Sequence, residues 1–193
     1  MAFKIRCALV IGHKHASPGA VNAATGLSEF DFNDRLSIEV QDIVRRDFAG
    51  IPDVIRIYRR TYAALPRDVN ESQSDFAVSM HCNAFAGVDD AKPSGTETLY
   101  YHRSTDGLQL AGKMQVSIVR ALGLRDRGVR KKHAEDRGGC FLAYTRMPSV
   151  ICEPFFIDND DDLKIARESD LALGYARGLN QCAELLQSRR DAL

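Results

Sequence analysis

Asp75-Phe76-Ala77-Val78-Ser79-Met80-His81-Cys82-Asn83-Ala84-Phe85 is the stretch around which the rest of the chain is arranged. Phe76-Ala77-Val78 is continuously apolar, the pattern of a strand buried on both faces. The run delivers Ser79, Met80 and then His81, where the apolar character stops. In an open α/β sheet, ligands gather beyond the carboxyl ends of the strands, so His81 stands where chemistry is usually placed. One such histidine is as readily an ordinary hydrogen-bonding residue. Two other strand-like runs end the same way, however: Cys7-Ala8-Leu9-Val10-Ile11-Gly12 at His13, and Pro148-Ser149-Val150-Ile151-Cys152 at Glu153. Three groups able to bind metal or carry protons, at three strand ends, make a site rather than a coincidence.

Outward from these strands the pattern alternates. Residues 3–11 suit a central strand, and Gly12-His13-Lys14-His15 breaks it. A His-x-His pair in extended backbone places both rings on one side. A turn after Gly12 would instead leave only His13 facing the site, with His15 in a supporting or solvent-exposed place. Ser28-Glu29-Phe30-Asp31 opens a helix, with Ser28 as its cap. Phe32, Leu36, Val40, Ile43, Val44 and Phe48 then recur at helical spacing until Gly50. Glu29, in the first turn, either complements the helix dipole or serves as an oxygen ligand at the mouth of the sheet.

Asp53–Tyr58 reads as a strand, 67–73 as a short polar helix, Thr96–Tyr101 as a strand, and 108–122 as a helix with Leu110, Met114, Ile118 and Leu122 on its buried stripe. An irregular loop rich in Gly, Asp, Lys and Pro is expected after Ala84. The basic stretch 125–137, continuing through Gly138-Gly139 to Pro148, is expected to be a mobile loop near the site, its charges facing solvent or greeting an anionic substrate. Asp160-Asp161-Asp162 lacks the spacing of a calcium loop and reads as the solvated start of a helix. A closing helix runs from 168 to 186. Strands alternating with helices, without repeat or composition break, predict a single-domain α/β sandwich over residues 1–193, its central, mostly parallel (mixed) sheet flanked by helices.

The balance of 26 Lys and Arg against 26 Asp and Glu in 193 residues gives no electrostatic reason to expect a nucleic-acid partner. Five cysteines, with no Cys-x-x-Cys pair, argue against a disulfide framework or thiolate zinc knuckle. No run is long enough for membrane insertion, and the apolar run 7–11 is too short for a secretory signal. The expectation is therefore synthesis in the cytoplasm without an export signal. The sequence specifies no oligomeric state.

His13, Glu29 and His81 form a two-histidine, one-carboxylate set. Three protein ligands leave zinc an open position for water, the arrangement of a hydrolytic site, where the water's pKa falls toward about 7. Glu153, flanked by Ile151, Cys152 and Phe155, is expected to have a raised pKa and to carry the proton; its alternative is a carboxylate paired with an arginine at the rim.

These motifs resemble the zinc-dependent N-acetylmuramoyl-L-alanine amidases of the Amidase_3 family. The resemblance is carried by Val10-Ile11-Gly12-His13, by Glu29 with Asn33, and by Arg67 and Asn70 followed by Ser79-Met80-His81-Cys82-Asn83-Ala84. It continues through Gly95-Thr96-Glu97-Thr98 and through Pro148, Glu153, Phe156 and Asn159. Lys14 and His15 stand where the family usually carries glycines. The resemblance implies zinc held by His13, Glu29 and His81, catalysis by Glu153, and a substrate- or ligand-orienting role for Asn83. It also implies peptidoglycan or muropeptide as substrate, cut between muramic acid and the first L-Ala, and a phage- or prophage-endolysin-like domain acting at the cell wall. The competing readings are a zinc peptidase or deacylase acting on another amide, a cysteine hydrolase using Cys152 or Cys82, and a wall-binding module with a dead site.

Overall fold

The computed structural model describes residues 4–85 and 93–192. Its six strands form one sheet in the order β2-β1-β3-β6-β4-β5. They are β1 (Arg6–Ile11), β2 (Asp53–Tyr58), β3 (Phe76–Met80), β4 (Thr96–Tyr101), β5 (Asp126–Lys132) and β6 (Ser149–Glu153). The run β2-β1-β3-β6 is parallel; β4 is antiparallel to β6, and β5 is parallel to β4. The mixed, mostly parallel sheet expected from the sequence is therefore the one that forms.

Period-two alternation explains why the central strands are continuously apolar. Cys7, Leu9, Phe76, Val78, Met80, Val150 and Cys152 point into the larger core. That core is closed by α1 (Glu29–Asp47), α3 (Thr105–Leu122) and α6 (Glu168–Asp191), which pack on one another and on the sheet. The alternate residues Ala8, Val10, Ala77 and Ile151 enter a smaller core on the other face with Leu65, Val69, Phe141 and Leu142. These come from two short helices, α2 (Leu65–Glu71) and α4 (Gly139–Tyr144). With both faces covered, neither set of side chains has a wet side, and the usual polar alternation vanishes.

The helix boundaries follow from caps. Ser28 accepts a hydrogen bond from the Asp31 N–H at 3.1 Å and starts α1. Ser104 accepts one from the Gly107 N–H at 2.9 Å, so α3 begins three residues before the expected Leu108. α2 also begins earlier than expected, because Pro66 lies in its first turn, where a missing N–H leaves no helical bond unmade. α6 runs on to Asp191, beyond the expected end at Leu186.

Two expectations are corrected. The basic stretch expected as a mobile loop is the edge strand β5, paired with β4 from Asp126 to Lys132 and followed by α4. Its charges suit an edge that faces water, and Arg127 is anchored by Glu97 of β4. Nor is the Asp triplet wholly solvated. α5 (Asp160–Ile165) buries Asp162, whose Oδ2 accepts from the backbone N–H groups of Gly95 (3.2 Å) and Phe156 (3.0 Å). The carboxylate thereby ties the entrance of β4 to the exit of β6. Of the loop expected after Ala84, residues 86–92 lie outside the described residues.

Candidate active site

The parallel run places the carboxyl ends of β1, β3 and β6 side by side, and each ends on a residue singled out above. Ile11 pairs with Met80 and Met80 with Cys152, so His13, His81 and Glu153 leave the sheet at one edge. β4 runs the other way and brings Glu97 to the same edge, directly opposite Glu153. α1 points its first residue, Glu29, at the strand ends.

His13 reaches the site because the chain turns after Gly12. Its backbone adopts φ 65°, the left-handed region that non-glycine residues rarely occupy. The turn separates it from His15, which is exposed and lies edge-on to Phe30 at 6.4 Å. Glu29, 1% exposed, sits between the two histidines. Its Oε2 is 3.2 Å from His13 Nε2 and its Oε1 is 2.8 Å from His81 Nδ1. The same carboxylate accepts from the backbone N–H groups of Cys82 (3.0 Å) and Ala20 (3.2 Å). Burial works to raise its pKa, but the hydrogen bonds and charges of His13 and His81 outweigh burial and hold it well below the usual carboxylate range.

One ligand atom from each of His13, Glu29 and His81 falls within 4.8 Å of the others. Two imidazole nitrogens and one carboxylate oxygen, gathered around a buried acid that has no lysine or arginine partner among the described residues, match the donor set of a hydrolytic zinc centre. Glycines allow the approach. A Cβ on Gly12 would lie 2.3 Å from the Met80 carbonyl oxygen and 2.8 Å from the His81 ring; one on Gly19 would lie 2.5 Å from Glu29 Oε2. Gly12→Ala is therefore expected to displace the β3 backbone at Met80 and the His81 ring, lowering stability by about 1–3 kcal/mol and disturbing the His13, Glu29 and His81 cluster. Thermal melting and zinc titration check this; an alanine variant that matches the parent in both would remove the steric role given to Gly12.

Glu153 faces the opposite side of the sheet from Cys152, towards a cleft of about 440 Å³ lined also by His13, Glu29, His81, Asn83 and Glu97. Burial pushes its pKa up; Glu97 and Glu29 add to the rise, while His81 and Arg137 oppose it. The expected direction is the one found. Asn83 also lines the cleft, but its amide is already engaged: Nδ2 donates to Glu97 Oε1 at 2.7 Å, and Oδ1 accepts from the Ala84 N–H at 3.0 Å. Its backbone bridges to Phe156, extending the pairing of the β3 and β6 segments past the site.

Cys82 and Cys152 are buried, and desolvation pushes both thiols up, that of Cys152 to about 12. Neither offers a ready thiolate, which removes the physical basis for a cysteine nucleophile. Glu97, Arg59 and Tyr62 line the cleft without having been assigned a role from the sequence. Glu97 stood in the quoted Gly95–Thr98 motif; its closeness to Glu153 depends on an antiparallel pairing that the local pattern does not reveal.

Residues 7–181 match the family model described as N-acetylmuramoyl-L-alanine amidase. Among curated proteins, the chain is 31% identical to the N-acetylmuramoyl-L-alanine amidase LytC of Bacillus subtilis (strain 168), over 78% of this chain and 29% of that protein. It is 28% identical to the endolysin of Bacillus phage SPP1, over 94% of this chain and 66% of that one. The chain thus spans under a third of LytC and about two thirds of the endolysin. The crystal structure of an N-acetylmuramoyl-L-alanine amidase from Clostridium difficile 630 superposes with a TM-score of 0.77 at 23% identity, covering 97% of both chains. The fold is shared by the catalytic domain of CwlV from Bacillus (Paenibacillus) polymyxa var. colistinus, with a TM-score of 0.75 at 23% identity, over 93% of this chain and 98% of that one.

Proposed function

This chain belongs to the Amidase_3 family of N-acetylmuramoyl-L-alanine amidases, and on that footing we propose that it is a zinc-dependent hydrolase of peptidoglycan. The bond cut is the amide between the muramic lactyl group and the L-Ala of the stem peptide. The observation that carries the reading is the convergence of His13, Glu29 and His81 within 4.8 Å, beside Glu153 in one cleft. Zinc, when bound by these three residues, supplies Lewis acidity towards the amide carbonyl and acidifies a water.

The chain's own part is proton traffic and positioning. Glu29, through its two oxygens, draws both imidazoles together and so gathers the three ligand groups in one place. Glu153 takes the proton of the attacking water and returns it to the amine nitrogen of L-Ala as the C–N bond breaks, leaving a lactyl carboxylate and a free amino terminus. A raised pKa suits both halves of that exchange, since the same group must accept and then donate near neutral pH. Asn83, through its 2.7 Å hydrogen bond to Glu97, positions the second carboxylate beside Glu153 and presents the edge of the site to substrate. No helix among the described residues is long and apolar enough to cross a membrane. The site of action proposed is the cell wall, in the manner of an endolysin catalytic domain spanning 1–193.

The test is release of amino termini from purified peptidoglycan, measured with chelator and after zinc is restored. New L-Ala termini that disappear with chelator and return with zinc are the expected result. A cut inside the stem peptide, or release that ignores chelator, overturns it.

A further inference from the structure

We propose that Arg59 and Tyr62, at one corner of the cleft, form a subsite for a free carboxylate on the stem peptide of the substrate; this rests on the amidase reading above and adds the chemistry by which the stem is recognised.

Arg59 follows directly on β2, whose last residue Tyr58 is in register with Ile11, so it leaves the sheet beside Gly12 and His13. Its neighbours in sequence are neutralised: Arg56 pairs with Asp34 at 2.7 Å, and Arg60 pairs with Asp68. Arg59 has no such partner among the described residues. Its Nε is buried and makes no hydrogen bond. A buried donor without a partner is unfavourable, and in a binding cleft it marks a group waiting for an acceptor. The guanidinium lies over the Tyr62 ring, 5.8 Å from its centroid, within cation–π range. The Tyr62 hydroxyl in turn faces the backbone of Gly138 and Phe141, joining this corner to the start of α4.

The surroundings favour an anion. Leu65, Phe141 and Ile151 give the cleft an apolar floor, where charges are poorly screened. Of the carboxylates lining the same cleft, Glu29 is committed to the two histidines, Glu97 to Arg127 and Asp136 to the His133 N–H, and Glu153 stands beside the histidines; Glu135 is set against Lys132, which lines the cleft with it. Arg137, at the same rim, adds a further positive charge. A planar, always-charged fork is suited to bidentate pairing with a carboxylate and poorly suited to a carboxamide, which presents one acceptor and a clashing N–H. Stem peptides differ on this point: the residue after L-Ala, glutamate joined through its side chain, carries either a free α-carboxylate or an α-carboxamide. The structure therefore assigns a preference between wall types to Arg59.

The experiment is calorimetric binding to the zinc-loaded protein of three probes: L-Ala-γ-D-Glu-L-Lys with a free α-carboxylate, the same peptide with an α-carboxamide, and muramic acid. The protein is expected to bind the carboxylate peptide roughly ten-fold or more tightly than the carboxamide, the margin of a charge-assisted pair. Arg59→Met is expected to bring the two peptides to near parity, and Arg59→Lys to retain part of the difference, with thermal melting of both variants as the check on folding. Equal binding of the peptides by the parent protein, or an undiminished preference in Arg59→Met, overturns the proposal. So does a loss confined to muramic acid, which would give the corner to the lactyl carboxylate of the product. These outcomes separate from the amidase reading, because binding is measured without turnover. Peptide discrimination with no release of L-Ala termini from wall would sink the amidase reading alone, and release without discrimination would sink the subsite alone.

Discussion

Glu153→Gln is expected to keep the fold and bind zinc yet lose turnover by about 10²–10⁴-fold, the usual contribution of a positioned proton carrier. The substitution preserves side-chain volume at the end of β6 and removes only the ability to accept a proton. Burial already works against the charge of this acid and raises its pKa, so a neutral amide of the same shape should sit in the same pocket without strain. Zinc content by atomic absorption, circular dichroism, and release of L-Ala termini together separate the roles. Near-parental release by a zinc-loaded Glu153→Gln protein would remove Glu153 from the mechanism and point to another base, with Glu97 the adjacent carboxylate to examine.

Glu29→Ala should have the largest effect on the protein as a whole. The deleted carboxylate is buried and satisfies two backbone N–H groups and two imidazoles. Removing the acceptor strands the two backbone N–H donors and the imidazoles, at about 1–3 kcal/mol for each buried donor left unpaired, so a loss of several kcal/mol is expected. Zinc binding should also be lost. Denaturant unfolding in the presence of chelator measures the first effect free of any metal contribution, and zinc titration measures the second. Glu29→Gln, which keeps volume and one carbonyl acceptor, should recover part of the stability and none of the tight metal binding. An alanine variant as stable as the parent would show that the histidines and the α1 entrance are held by other contacts.

Much of the fold was legible because burial on both faces leaves a strong local mark. Cys7–Ile11, Phe76–Met80 and Ser149–Cys152 are almost wholly apolar runs, and each is followed within two residues by the residue that enters the site. The α1 cap was equally plain, since Ser28 and Asp31 stand at the spacing a side-chain cap requires. The edge of the sheet was not legible. β5 is composed of Asp-Arg-Gly-Val-Arg-Lys-Lys, and its charges read as loop because an edge strand is free to face water. α4 was hidden for a related reason: six residues carry too little periodicity to register, and only its packing over Ala77 and Ile151 shows why Phe141 and Leu142 are buried.

What the sequence determined by itself was the set of strand-end residues, because where an apolar run stops depends only on neighbours along the chain. His13, His81 and Glu153 follow from this alone, whereas for Glu29 the chain specifies a helix entrance and no more. Which of these residues meet was decided by tertiary structure. Parallel order puts β1, β3 and β6 side by side, and the left-handed turn at His13 sends that ring, rather than His15, towards Glu29. The antiparallel insertion of β4 sets Glu97 against Glu153, and the register of β2 sets Arg59 beside Gly12. Those contacts join residues tens of positions apart, and their geometry is fixed by sheet order and register, which no local pattern of side chains encodes.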